Sequence, residues 1–197
     1  PSGNTVLFAD AIQTVGNVTL PAYSTFTLQA ANGMAVLDCA SSRGISASIS
    51  VQLTVMNIVM QNCVYLDGLD LGAGSAISVS NGSALTVNNC VFRQNFGCPS
   101  IYVTDGYLTM NNSVFQDNVF FTHTNTYSVL SGSAVATIRT IVQITYCQFL
   151  RNSVQMSDTG PMVQRSLGAT LALFTSRTFV SDTVFANNTA YLPSPAT

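Results

Sequence analysis

Residues 85–95 read LTVNNCVFRQN and residues 108–118 read LTMNNSVFQDN, so an eleven-residue pattern returns after 23 residues. Three further segments align with it without gaps, and successive segments start 27, 23, 34 and 36 residues apart. They are Ile58–Gly68 (IVMQNCVYLDG), Val142–Asn152 (VQITYCQFLRN) and Thr178–Asn188 (TFVSDTVFANN), and the longer intervals hold apparent insertions such as Phe120–Ser131 and Met156–Pro161. Self-similarity at such a period is the signature of a repeat protein.

Each repeat unit consists of short strands separated by turns. Gly74–Val79 (GSAISV) is echoed by Gly132–Thr137 (GSAVAT), and Asn81-Gly82 and Asp105-Gly106 mark tight turns. Stacked coils about 4.8 Å apart bury apolar residues that one coil cannot bury alone. The repeat therefore predicts an all-β fold, a single-stranded parallel β-helix of about 6–8 coils. A β-sandwich is the alternative, but its strands would not repeat the same side chains at one interval.

The alignment also predicts which residues stack in columns along the helix axis. Stacked asparagines at a turn can hydrogen-bond from coil to coil. The two predicted inward columns are Met60, Val87, Met110, Ile144, Val180 and Tyr65, Phe92, Phe115, Phe149, Phe185. A small-residue column is Cys63, Cys90, Ser113, Cys147, Thr183, and a turn column is Gly68, Asn95, Asn118, Asn152, Asn188.

The residue before each aromatic points outward if strand alternation holds. An apolar stripe along a solenoid is a lateral contact surface, and cover by loops, glycans or the N-terminal segment is the alternative. The outward column is Val64, Val91, Val114, Gln148 and Val184, of which the four valines are candidate interface residues.

The composition excludes several functions. Only 7% of the residues are charged, all eight acids are Asp, all six bases are Arg, and Lys, Glu and Trp are absent. Chemistry that needs a Glu base or a Lys is therefore impossible, and six scattered arginines do not form a nucleic-acid surface. Ile49–Met60, the longest apolar stretch, is too short to span a bilayer, so no membrane insertion is expected.

The cysteines and glycosylation sequons favour an oxidising, secretory compartment. None of the five cysteines shows CxxC spacing, and with one histidine, His123, no metal site and no cofactor are predicted. Adjacent coils would allow a Cys63–Cys90 disulfide or stacked thiols, and Cys98 is a candidate for pairing with another loop or chain. The candidate disulfide residues are Cys39, Cys63, Cys90, Cys98 and Cys147, and the candidate glycosylation sites are Asn17, Asn81, Asn111 and Asn187.

The Gly-Ser-Ala-Ile/Val and Phe-x-x-Asn elements resemble the repeats of chlamydial polymorphic outer membrane proteins and related β-helical surface proteins. The second element recurs at Phe92–Asn95, Phe115–Asn118, Phe149–Asn152 and Phe185–Asn188, and the resemblance covers roughly residues 58–190. It implies a right-handed β-helix with a surface or adhesive role and carries no catalytic residues. The sequons, the cysteines and the end at Leu192–Thr197 (LPSPAT) favour instead an algal-type extracellular glycoprotein.

Enzymatic alternatives have weak support in the sequence. Asp67 and Asp70 are the acids closest in sequence, but a solvated turn explains them, and His123 lies within an insertion. A carbohydrate-binding module using Tyr102 or Tyr107 and a polysaccharide lyase-like β-helix remain alternatives. Ice binding through Thr86 and Thr109 is disfavoured because the alignment places Val59, Gln143 and Phe179 in neighbouring coils.

The sequence thus predicts residues 1–192 as one β-helix domain, with irregular N-terminal coils or a cap over 1–57 and regular coils over 58–190. The Ser-Pro tail at 193–197 is interpreted as an ordinary extended tail, with the start of a Pro-rich stalk as the alternative. The expected function is an extracellular structural or adhesive building block of a surface filament, wall or appendage. It would pack laterally or end to end with itself or with other extracellular structural proteins, carry covalently attached glycans, and have no catalytic site.

Overall fold

The computed structural model describes residues 3–9, 12–66, 73–122, 129–156, 165–168 and 170–191, and within these ranges all regular structure is β-strand. Asp67, Asp70 and His123 lie outside the described residues, as do Gly68 and 192–197. In chain order the strands are β1 (Asn4–Phe8), β2 (Ile12–Thr14), β3 (Val18–Leu20), β4 (Thr25–Ala30), β5 (Ala35–Asp38), β6 (Ile45–Ser48), β7 (Gln52–Met56), β8 (Ile58–Gln61), β9 (Ile77–Ser80), β10 (Ala84–Asn88), β11 (Val91–Arg93), β12 (Phe96–Gly97), β13 (Ile101–Thr104), β14 (Tyr107–Asn111), β15 (Val114–Gln116), β16 (Val119–Thr122), β17 (Val129–Gly132), β18 (Val135–Ile138), β19 (Ile141–Thr145), β20 (Gln148–Leu150), β21 (Ser153–Met156), β22 (Arg165–Gly168), β23 (Leu171–Phe174), β24 (Arg177–Ser181), β25 (Val184–Ala186) and β26 (Thr189–Tyr191).

The strands stack as a parallel β-helix, which confirms the predicted fold class. Sheet A has the order β1-β4-β7-β10-β14-β19-β24 and sheet B the order β2-β5-β8-β11-β15-β20-β25, so seven coils follow one another. Sheet C (β3-β6-β9-β13-β18-β23) has six strands, each of which lies in the chain between sheet B of one coil and sheet A of the next, and the shorter sheet D (β12-β16-β21-β26) begins only in the middle of the chain. A two-stranded sheet, β17-β22, belongs to the insertions. Residues 4–56, where irregular coils or a cap were expected, contribute strands to the same sheets.

Each coil turns at corners where one residue takes a left-handed backbone conformation. Asparagine tolerates this region better than most residues, which is why corner positions are so often Asn. At the corner between sheets A and B, the Asn89 amide donates to Oδ1 of Asn57 (2.8 Å) and the Asn112 amide to Oδ1 of Asn89 (3.2 Å). The residues with positive φ are Asn57, Asn89, Asn112, Tyr146 and Asp182 at this corner, and Asn62, Gln94, Asp117, Arg151 and Asn187 at the corner after sheet B.

The glycines of the Gly-Ser-Ala elements lie where neighbouring coils approach most closely. A Cβ on Gly74 would stand 2.9 Å from the backbone nitrogen of Tyr102, and one on Gly132 would stand 2.7 Å from that of Ala172. Both partners lie one coil further on. The carbonyl oxygens of Ile77 and Val135, three residues on in the same coil, are closer still, so the motif reflects close backbone packing both within a coil and between coils.

The aromatic column forms the centre of the core. Phe92, Phe115 and Phe149 are fully buried, and their rings stack with centroids 4.8 and 5.0 Å apart; Phe185 continues the stack at 4.9 Å. This spacing is the coil rise, so the rings stack because the coils do. The prediction of this column is confirmed from Phe92 onward.

The predicted alignment is wrong for the first repeat segment. Leu53 pairs with Leu85, and Met60 pairs with Phe92, so residues of this coil and the next are 32 apart rather than 27. Met60 therefore takes the place predicted for Tyr65 in the aromatic column. In the inward column that contains Val87, the member from the preceding coil is Val55 and not Met60. The later offsets of 23, 34 and 36 are confirmed.

Candidate assembly surfaces

A column of buried asparagines connects the last four coils. Oδ1 of Asn118 accepts hydrogen bonds from the backbone N–H and the side-chain amide of Asn95, both at 3.1 Å. Asn152 accepts in the same way from Asn118, and Asn188 from Asn152. Each amide also donates to a backbone carbonyl, as Asn118 does to Phe92. These side chains satisfy backbone groups that water cannot reach, so they fix the rise of the coils at this corner.

A disulfide links the coils that precede the asparagine column. The backbone N–H of Cys63 donates to Oδ1 of Asn95 at 3.0 Å, so Cys63 occupies the column position predicted for Gly68. Cys63 is bonded to Cys39 in the preceding coil, across 24 residues. Cys63 and Cys90 therefore form neither the disulfide nor the pair of stacked thiols that the sequence left open, because the register of 32 moves Cys63 to a different corner. The covalent bond thus links two N-terminal coils, as pairs of asparagines link the later coils.

Cys90 and Cys147 form no disulfide. Cys90 and Cys147 are buried thiols in the small-residue column, with Ser113 between them. Burial raises the pKa of the Cys90 thiol to about 11 and also raises the pKa of Cys147. Both thiols are therefore protonated at neutral pH and chemically inert. Cys98 is a half-buried thiol.

The outward valine column is longer than predicted and has one different member. Val64 forms a bridge to Phe96 at the edge of sheet D, so it does not belong to the column of Val91. Val59 takes its place, and apolar residues continue to the first coil. Ile12 and Val184, at the two ends, are 69% and 53% exposed, whereas the valines between them are half-buried by their neighbours. In coil order this column is Ile12, Val36, Val59, Val91, Val114, Gln148 and Val184.

A polar network runs beside these valines on the outer face of sheet B. The Arg93 guanidinium donates to Oε1 of Gln61 at 2.6 and 2.9 Å, and Nε2 of Gln61 donates to Asp38 at 2.8 Å. The Asn62 amide donates to the same carboxylate at 2.7 Å. Hydrogen bonds from Gln61, then Ala40, lower the pKa of Asp38 below its usual value. Sequence reasoning missed this network because it depends on the correct pairing of Gln61 with Arg93.

Sheet A carries an outward threonine column, in which the sequence alignment wrongly included Val59. Thr86 and Thr109 are in it as predicted, and Gln143 and Phe179 follow them, but Val59 does not precede them. The column starts with Thr5, Thr27 and Thr54. Of the two tyrosines considered for carbohydrate binding, Tyr107 is 54% exposed on this sheet, whereas Tyr102 is buried. The carbohydrate-binding alternative needs an exposed tyrosine, so the interpretation of Tyr102 as its binding residue is wrong.

The two end coils expose side chains that the other coils bury. Val180 and Phe185 belong to inward columns and are 45% and 47% exposed. In the first coil, the inward-facing Val6 is 40% exposed. Of the seventeen exposed large hydrophobic side chains among the described residues, ten lie in the first and last coils. They are Val6, Leu7, Ile12, Val18, Phe174, Phe179, Val180, Val184, Phe185 and Tyr191.

All four sequon asparagines are exposed. Asn17, Asn81 and Asn187 are corner residues with positive φ, and Asn111 ends β14. Each side chain therefore points away from the core at or beside a corner. This placement leaves room for a glycan at each site.

The described residues hold no group of three or more His, Cys, Asp or Glu that could bind a metal ion. Two of the carboxylates pair with arginines: Asp105 with Arg139 at 2.6 Å and Asp117 with Arg151 at 2.8 Å. Arg139 is the main cause of the lowered pKa of Asp105. Both pairs lie between successive coils at corners, so they act as structural contacts. Within the described ranges, the structure contains no helix long and apolar enough to cross a membrane.

Comparison with known proteins gives no relative: no protein-family model, no curated protein and no solved structure matches this chain.

Proposed function

We propose that the chain is an extracellular structural or adhesive protein that serves as a building block of a surface filament, wall or appendage. The observation that carries the proposal is the outward column on sheet B, which holds an apolar side chain in six of its seven coils. Soluble monomers rarely expose a contiguous apolar stripe along one face, so this column favours self-association. The exposed sequon asparagines and the Cys39–Cys63 disulfide support a secretory location for such a protein.

The proposal is tested by sedimentation velocity and light scattering on the purified native glycoprotein over a concentration series. Growth to oligomers or filaments with rising concentration is expected. A strict monomer at the highest concentration overturns the proposal.

Lateral and end-to-end packing are separated by substitutions in the valine column. Val91→Arg places a charge in the middle of the outer face of sheet B, and Gln148→Arg places the same charge in the same column, at a position that is already polar. If lateral packing contributes, Val91→Arg lowers the oligomer mass and Gln148→Arg does so far less. If both variants assemble as the unmodified chain does, lateral packing makes no contribution and the end coils carry the association.

A further inference from the structure

The outer face of sheet B carries its charged residues in a self-complementary order. A second outward column runs beside the valine column, two residues further along each strand, and its charged members are Asp38 on β5 and Arg93 on β11. Gln61, on β8, lies between them, so one acid and one base flank this strand at equal distances of one coil, about 4.8 Å. In coil order this polar column is Thr14, Asp38, Gln61, Arg93, Gln116, Leu150 and Ala186.

Within the described part of the chain, these two charges meet a neutral amide. The structure has two salt bridges among the described residues, and neither includes Asp38 or Arg93. Gln61 links them: its Nε2 donates to Asp38, and its Oε1 accepts from Nε and Nη2 of Arg93. Nη1 of the guanidinium takes no part in this contact. Each charge can therefore add a charge-assisted hydrogen bond to a group of opposite sign on another molecule.

A second copy of the chain presents such groups when the two faces are related by two-fold symmetry. With the symmetry axis in the interface and along β8, the strands of the second copy keep their direction and its coils follow in reverse order. The β5 strand of each copy then lies over β11 of the other, and each outward column lies over its own counterpart. In a two-fold contact every pair of residues occurs twice.

We propose that two copies of this chain pack face to face through sheet B about a two-fold axis along β8, so that Asp38 of each copy meets Arg93 of the other. This inference rests on the proposed function and specifies its lateral contact. The same register places Val59 over its own counterpart and Val36 over Val91 of the other copy. The valines cover one another beside two ion pairs. Such a contact closes on itself, so this face gives a dimer, and growth beyond it requires another surface.

The ion pairs select this arrangement over the other two-fold packing of the same faces. With the symmetry axis along the β-helix instead, strands of the same coil cross in opposite directions, and Asp38 lies over Val36 while Arg93 lies over Val91. A charge covered by an apolar side chain loses its water without gaining a partner. Packed sheets cross at about 30°, which displaces coils far from the axis most. Asp38 and Arg93 lie one coil from the proposed axis, where the register is best kept.

The test exchanges charges between two variants of the complete chain. Arg93→Asp and Asp38→Arg each bring like charges together at both symmetry-related contacts, so each variant alone is expected to raise the dimer dissociation constant by about ten-fold or more in sedimentation equilibrium. An equimolar mixture pairs opposite charges again, and it is expected to dimerise within a few-fold of the unmodified chain. The matched control is Arg177→Asp, which makes the same charge change at an exposed position of sheet A and is expected to leave association unchanged.

The charge-swapped double variant, Asp38→Arg with Arg93→Asp, keeps one acid and one base beside Gln61 and is expected to dimerise by itself. Because the single changes remove hydrogen bonds within one chain, circular dichroism checks that every variant is folded, and the double variant decides the test if a single variant is not.

Three results overturn the inference and leave the proposed function standing. Single variants that dimerise as the unmodified chain does show that another face is used. Dimers that are lost in the single variants and restored neither by mixing nor by the double variant exclude the two-fold register. An equal loss with Arg177→Asp shows an effect of net charge. A strict monomer of the unmodified chain overturns both the inference and the proposed function.

Discussion

Phe115 and Phe185 are the same residue in the same column, yet the first is fully buried and the second is 47% exposed. Their coils have the same local sequence pattern, Phe-x-x-Asn, and the same strand lengths. The difference lies in their neighbours: Phe115 has stacked rings on both sides, and Phe185 has one. In a solenoid, therefore, burial is supplied by adjacent coils, and an end coil resembles an interior coil with one neighbour removed.

The largest expected effect comes from removing a ring in the middle of the stack. Phe115→Ala leaves a cavity between Phe92 and Phe149 and is expected to cost about 3–5 kcal/mol in free energy of unfolding. Phe185→Ala removes the same atoms from an exposed ring and is expected to cost less than half as much. Urea unfolding followed by circular dichroism measures both. Equal losses would contradict the dependence of burial on adjacent coils.

The disulfide is expected to have the next largest effect. Replacing both Cys39 and Cys63 with serine removes the cross-link over 24 residues and is expected to cost about 3 kcal/mol. The loss should be concentrated in the N-terminal coils, since these are what the bond ties to the rest. Hydrogen exchange of residues 4–61 compared with 85–152 measures this distribution, and uniform loss of protection over both regions would show that the molecule unfolds as one unit.

The asparagine column provides a smaller test of the same comparison. Asn118→Ala leaves the backbone N–H of Asn95 without its partner in the core and removes the side-chain hydrogen bond to the carbonyl of Phe92, at an expected cost of about 2–3 kcal/mol. Asn188→Ala, in the last coil, is the matched control and should cost less, because its position is only half-buried. Thermal unfolding of both variants measures the difference. A larger loss for Asn188→Ala would show that the end coil is covered in solution.

The smallest expected effect is a pH dependence from Asp38. Hydrogen bonds from Gln61, Ala40 and Asn62 hold its pKa below 3.8, so the folded state binds a proton less readily than the unfolded chain does. The stabilisation is fully present above the ordinary carboxylate pKa and is lost as pH falls through the lowered value. Melting temperatures of the unmodified chain and of Asp38→Asn should therefore converge below pH 3.8. A constant difference at all pH values would exclude this contribution.

The sequence predicted some columns correctly and others not, and the errors in the columns share one cause. Asn62 and Asn89 are both corner residues with positive φ, and each is followed by Cys-Val and an aromatic residue. They belong to different corners, however, since Asn62 follows sheet B and Asn89 follows sheet A. Because the local requirement for a left-handed residue is the same at every corner, sequence similarity could not distinguish the two. The shift displaced Val64, Tyr65 and Cys63 from their true columns together.

The sequence by itself determined the parallel β-helix, the offsets of the last four coils, and the phenylalanine and asparagine columns, because each coil repeats the side chains that stack on the next. The tertiary structure alone decided the register of the first repeat segment, the Cys39–Cys63 bond and the extension of the threonine and valine columns to the first coil. Those features depend on which backbone hydrogen bonds form between coils more than twenty residues apart, and the local pattern allows more than one choice. The exposure of side chains in the end coils was also decided by the tertiary structure, since the sequence of a coil does not indicate whether a neighbouring coil covers it.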